Sequence, residues 1–82
     1  MDNMNVDDKL YFINKLLRDN KFHVTGFLLT KDYIFIKSYR FRTNYYFIIP
    51  RLAAPSSLDS IDKLMRYNTI NDNRVPISFI DI

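Results

Sequence analysis

The chain has no cysteine and no tryptophan, a single glycine, a single histidine, and neither glutamate nor glutamine. The lack of cysteine excludes disulfides, thiolate nucleophiles and iron-sulfur clusters, and most structural zinc sites with them. His23 stands among Phe22, Val24 and Phe27, with no Ser, Cys or Asp spaced to complete a triad. It therefore reads as a structural or surface residue and not as a general base. One glycine cannot build a phosphate-cradling loop. Lys and Arg interrupt every apolar run before the ~20 residues of a bilayer span, so no membrane insertion is expected. All nine acidic residues are Asp, and Asp7, Asp8, Asp32, Asp59 and Asp72 sit at helix starts or turns, where Asp serves as a cap. Asp59 and Asp62 lie one turn apart but lack the further ligands a divalent cation needs. These absences point to a protein that is not an enzyme and needs no cofactor or metal.

What is present describes a folded domain. Of the 82 residues, 48% are hydrophobic, 16% aromatic and 26% charged, the balance of a globular chain and not of a disordered one. We read residues 1–82 as a single domain. A net charge of +3 with a pI near 9.3 favours an acidic partner but falls short of a dedicated nucleic-acid signature. The start, Met1 to Asp8, is acidic and polar, unlike a secretory signal, which makes the host cytoplasm the expected location. Ile, Asn, Lys, Tyr and Phe are abundant while Ala and Gly are scarce, a bias that matches AT-rich codons.

Periodicity lays out the elements. Val6, Leu10, Ile13 and Leu17 recur at helical spacing, with Phe12 and Leu16 widening the stripe, and predict a helix from Val6 to Asp19. Asn5 is its candidate N-cap, and Asn20 is placed to stop it in a left-handed conformation. Phe22 to Leu29 favours a strand, with Phe22, Val24 and Leu28 on one face and His23, Thr25, Phe27 and Leu29 on the other, the pattern of a central strand. Gly26 predicts a bulge or a close backbone approach there. Tyr33 to Ile49 reads as a β-hairpin whose reversal falls between Lys37 and Asn44, with Ile34, Ile36, Phe47 and Ile49 directed to the core. Ser56 and Asp59 form a candidate capping box for a second helix, Ser57 to Tyr67, striped by Leu58, Ile61, Leu64 and Met65. Val75 to Ile82 is strand-forming, with Pro76 marking an edge. The fold class is therefore α+β: a two-layer sandwich of order α-β-β-β-α-β, an antiparallel meander with two helices on one face.

Function concentrates in the hairpin. Arg40 and Arg42 alternate with Tyr39 and Phe41, and Tyr45 and Tyr46 follow. Aromatic residues and arginines anchor protein interfaces, and a sheet apolar on both faces exceeds what two short helices cover. A protein target is the expected partner, with a homo-oligomer as one form of it and partner-binding residues Tyr39, Arg40, Phe41, Arg42, Tyr45 and Tyr46. The same residues suit a nucleic-acid binder, the second reading, because exposed rings stack on bases while arginines meet phosphates.

Three resemblances bear on these readings. The helix-strand-strand-strand-helix order over Val6 to Tyr67 resembles double-stranded RNA-binding domains, but their lysine-rich second-helix start is here Pro55-Ser56-Ser57-Leu58-Asp59. The full order is similar to the core of restriction-endonuclease-like nucleases, whose acidic pair and Glu-X-Lys motif are replaced by Phe47-Ile48-Ile49-Pro50-Arg51. In length, lack of cysteine and AT-rich composition, the chain resembles the small cytoplasmic regulators of T-even phages, such as the cytoplasmic antiholins. That likeness implies a viral regulator that binds a target such as a holin to delay lysis, without chemistry of its own.

Overall fold

The computed structural model describes residues 5–69 and 71–79. Helix α1 (Val6–Asp19) leads into strands β1 (His23–Leu29), β2 (Tyr33–Arg40) and β3 (Thr43–Pro50). A 3-10 turn (Pro55–Ser57), the short helix α2 (Ile61–Leu64), and 3-10 turns over Met65–Tyr67 and Ile77–Phe79 follow. The class is α+β, and the sheet is an antiparallel meander in the order β1-β2-β3.

Helix α1 forms as its residues dictate. The Asn5 side chain accepts the Asp8 amide at 2.9 Å, with Asp7 and Asp8 in the positive first turn. Its stripe buries Ile13 and Leu17 completely. The C-terminus differs from expectation: Asn20 has φ −107 and remains the cap, while Lys21 takes the left-handed conformation at φ 72. The Phe22 amide donates to the Leu17 carbonyl and the Lys21 amide to that of Arg18, the paired bonds of a Schellman ending, in which the left-handed residue stands one beyond the cap. Asn20 contributes through its side chain, which donates to the Leu16 carbonyl at 2.8 Å.

Strand β1 lies at the edge of the sheet and not at its centre, which β2 occupies. The expected irregularity is a bulge between Val24 and Gly26, and it reverses the alternation of the residues beyond it. Val24, Phe27 and Leu29 pair with Ser38, Ile36 and Ile34, while Leu28 pairs with Phe35. Since cross-strand partners share a face, Leu28 leaves the face that simple alternation assigns to it and Leu29 joins the core. The strand is apolar on both faces because the bulge redirects it, not because both faces are buried.

Two apolar clusters hold the sheet. Ile34, Ile36, Phe47 and Ile49 join Ile13, Leu17, Phe22, Leu58 and Leu64 on the helical side. Phe35, Tyr46 and Ile48 gather with Val75, Tyr33 and Phe79 on the other. The second helix is shorter than expected because Ser60, and not Ser56, supplies its cap, accepting the Lys63 amide at 3.3 Å. Ser57 instead bonds the Ala54 carbonyl at 2.7 Å within the preceding turn, so the serines split the segment into short pieces. The expected strand from Val75 is a 3-10 turn over Ile77–Phe79, with Val75 plugging the second face; Ile80 to Ile82 lie outside the described residues. Ordering by α-β-β-β-α thus holds, and no final strand is found among the described residues.

Candidate interaction surface

The β2–β3 connection is a two-residue turn. Arg40 pairs with Thr43, and the residues between them, Phe41 and Arg42, have φ of 53 and 62. Hairpins this tight match the sheet twist when both central residues are left-handed, which is why Asn-Gly dominates them. A bulky side chain in that conformation costs roughly 1 kcal/mol or more. Here both residues are bulky and both are exposed, Phe41 to 77%.

The six residues that the sequence pattern singles out separate into two groups. Tyr39, Phe41 and Arg42 are exposed at the tip. Arg40, Tyr45 and Tyr46 are built into the fold. The Arg40 guanidinium lies 3.9 Å from the Phe22 ring centroid, with Phe41 at 5.1 Å and Tyr45 at 5.7 Å. Its Nη1 donates to the Asn20 carbonyl at 3.0 Å, where the negative end of the α1 dipole favours a cation. Tyr45 packs edge-on to Phe22 and stacks with Phe47, and Tyr46 is 3% exposed within the second cluster. These three of the six candidate partner-binding residues therefore have a structural duty.

The structure adds residues that the sequence pattern did not flag. Because Arg40 fastens the tip to the end of α1, Arg18 and Lys21 stand at the same end of the molecule. Arg18, Lys21 and Arg42 are exposed there, and the carboxylate beside them, Asp19, is engaged by Lys15 at 3.2 Å. Arg40, held by the Asn20 carbonyl, adds a fourth cation to this end. Phe27 and Leu28 are exposed on β1. Carrying the Gly26 bulge through the alternation accounts for Leu28, which it turns away from the helical face, but not for Phe27, which it turns toward that face. His23, also exposed on β1, pairs with Tyr39 and stands beside no acid-base partner among the described residues.

A groove of about 610 Å³ opens at the opposite end, lined by Lys31, Asp32, Tyr33, Arg51, Leu52 and Arg74. Its arginines are committed: Arg51 donates to the Thr30 carbonyl at 2.8 Å, and Arg74 grips Asp72 at 2.6 Å. Among the described residues no group of His, Asp or Glu could hold a metal ion, and no helix is long and apolar enough to cross a membrane. No family model, curated protein or solved structure matches the chain.

Proposed function

We propose that the protein is a non-enzymatic regulator that binds and modulates a target protein through the tip, Tyr39, Phe41 and Arg42, and the neighbouring edge of β1. The observation that carries this reading is the turn. Two left-handed residues of the least suitable kind persist where Asn-Gly would fold better, and packing repays them little, because the Phe41 ring is 77% exposed and meets the Arg40 guanidinium only at 5.1 Å. Strain retained for so small a structural return is characteristic of contact sites. A rigid exposed aromatic beside an arginine is also the usual composition of an interface anchor. Inhibition of a lysis protein is one concrete form of this regulator, in keeping with the phage-like composition. Nucleic-acid binding is the second reading, supported by two exposed rings and a basic end. It is weakened by Arg40, Tyr45 and Tyr46, whose side chains are occupied within the fold.

The test is the double variant Phe41→Asn/Arg42→Gly. Its turn is better suited to the geometry, so it melts higher, by about 1 kcal/mol or roughly 4–8 °C. Crosslinked capture of partner protein from the host should fall at least about tenfold relative to the parent. Undiminished capture by the more stable variant would move the interface elsewhere. Oligonucleotide binding that declines steeply with salt would favour the second reading.

A further inference from the structure

The two edges of the sheet are not equivalent. Along β3, Asn68 bridges Phe47, the Tyr46 amide donates to the Asn68 side chain at 3.2 Å, and the Thr69 amide donates to the Tyr46 carbonyl at 2.6 Å. No described segment meets the outer edge of β1. Natural edges are usually blunted by charge, proline or a bulge. β1 carries a bulge, fixed by the Thr25 hydroxyl donating to the Lys37 carbonyl. That bulge lies in its first half, and the register from Gly26 to Leu29 is regular. This regular half carries no charged residue. It exposes Phe27 to 55% on the helical face and Leu28 to 36% on the other. Beside them a Cβ at Gly26 would meet nothing within 4 Å, so the backbone there is open to approach. The strand begins at the basic end, next to Lys21.

Resting on the protein-binding reading above, we propose that the partner contributes an extended segment that joins β1 antiparallel as a fourth strand. A short apolar run of that segment pairs with Gly26 to Leu29, and acidic residues on its C-terminal side meet Lys21 and Arg18. Apolar residues on both faces of the incoming strand cover Phe27 on one side and Leu28 on the other, while its backbone fills the open ladder. The direction comes from the sheet, in which every pairing is antiparallel. β1 runs away from the basic end, so an antiparallel strand arrives there with its C-terminal half. Arg18 and Lys21 are exposed and have no side-chain partner among the described residues, so an incoming carboxylate displaces nothing. A second copy of this chain fits less well: its own β1 contains no carboxylate and would leave Arg18 and Lys21 unanswered. Nucleic acid could answer the charge but cannot pair with a strand edge.

The experiment uses the full chain, nitrogen-labelled for amide NMR and hydrogen exchange, with synthetic peptides as probes. The first probe is an alternating Val/Ile run of about five residues followed by three Asp. The second ends in three Lys, and the third carries the Asp residues before the apolar run. The expected result is new exchange protection within Gly26 to Leu29 with the first probe. Affinity should be at least about tenfold weaker for the second at low salt, and the third should lose most of that advantage. Phe27→Lys/Leu28→Lys, at two partly exposed positions, should leave the spectrum of the other elements unchanged and abolish binding. Lys21→Glu should equalise the first two probes. Equal affinity of the first two probes for the parent chain, or β1 protection already present without peptide together with a dimer in sedimentation, would overturn the proposal. Peptide-induced shifts confined to Phe41 and Arg42 would overturn strand addition but leave protein binding intact. Response to single-stranded oligonucleotides alone would overturn both.

Discussion

At the scale of single residues, the molecule tolerates several local misfits, and each has a measurable size. Lys21 is left-handed at the end of α1, where glycine carries no Cβ penalty. Lys21→Gly should therefore raise stability by about 1 kcal/mol in urea denaturation while removing one cation from the basic end. A gain in stability accompanied by weaker partner binding would separate the two duties of this position. Ser38 is fully buried, and its hydroxyl has no hydrogen-bond partner among the described residues; it faces the apolar cluster opposite Tyr45. A buried unpaired hydroxyl costs about 1–3 kcal/mol, so Ser38→Ala should stabilise the chain by about 1 kcal/mol, less whatever packing the smaller side chain gives up. A destabilised Ser38→Ala protein would mean that the hydroxyl is satisfied in solution. Lys9 shows the opposite case. Buried to 4% exposure, its ammonium donates to the Arg51 and Ala53 carbonyls and ties α1 to the segment leaving β3. No pattern of spacing marks such a lysine, because its partners are carbonyls more than forty residues away.

Among the elements, the segment that covers the second sheet face is held differently from the others. Val75 and Phe79 pack on Phe35, Tyr46 and Ile48, but the preceding turn is fastened by charge. The Arg74 amide and guanidinium both bond Asp72, and the guanidinium lies 4.9 Å from the Tyr33 ring centroid. The Arg74 side-chain bond, and next its backbone amide, lower the Asp72 carboxyl from 3.8 to about 2. A carboxyl whose folded value is depressed contributes stability that is complete above its unfolded value and fades as pH falls through the folded one. The fastening is therefore intact above about pH 4 and lost towards pH 2, and salt weakens it because the pair is near the surface. Ring shifts of Tyr33 and Phe35, followed by NMR from pH 5 to pH 2, should report release of this segment before α1 unfolds. Asp72→Asn should remove that early change. If the shifts move only with global unfolding, the ion pair does not hold the segment.

The contrast between elements also accounts for what could be read in the sequence. The span of α1 was legible because cap, stripe and dipole all act within one helix, though not that Lys21 rather than Asn20 turns left-handed at its end, and the hairpin was legible because its arms are β-branched and aromatic with a polar interval. The four core residues Ile34, Ile36, Phe47 and Ile49 emerged from alternation alone. The edge position of β1 was not legible, since one bulge inverts the faces downstream and a reader of alternation then sees two buried sides. The second helix was overestimated because three serines offer competing caps, and only the packing of Leu58 and Leu64 decides between them. At the tip, the polar interval bracketed the reversal between Lys37 and Asn44 but could not place the two-residue turn at Phe41 and Arg42, nor separate Arg40, Tyr45 and Tyr46, packed into the fold, from Tyr39, Phe41 and Arg42, which are exposed.

For the molecule as a whole, a radius of gyration of 11.9 Å is close to the ~12 Å of a compact chain this long, yet its core is divided by the sheet into two clusters. The question is whether these behave as one cooperative unit. β2 and β3 contribute alternate side chains to each side, Ile34 and Ile36 to one and Phe35 to the other. Losing either side therefore leaves the same two strands half uncovered. This argues for a single transition in which both clusters melt together, apart from the acid-sensitive C-terminal turn. Leu64→Ala on the helical side and Ile48→Ala on the other should each cost about 2–4 kcal/mol. Each should lower one shared melting temperature by about 10 °C or more, since about 1 kcal/mol corresponds to roughly 4–8 °C at this size. Helical circular dichroism and tyrosine fluorescence should trace coincident curves for both variants. If Ile48→Ala shifts the fluorescence curve while the helical signal stays in place, the second cluster is an independent layer. The proposed interaction surface at the basic end, fastened by Arg40 to α1 on the helical side, would then survive its loss.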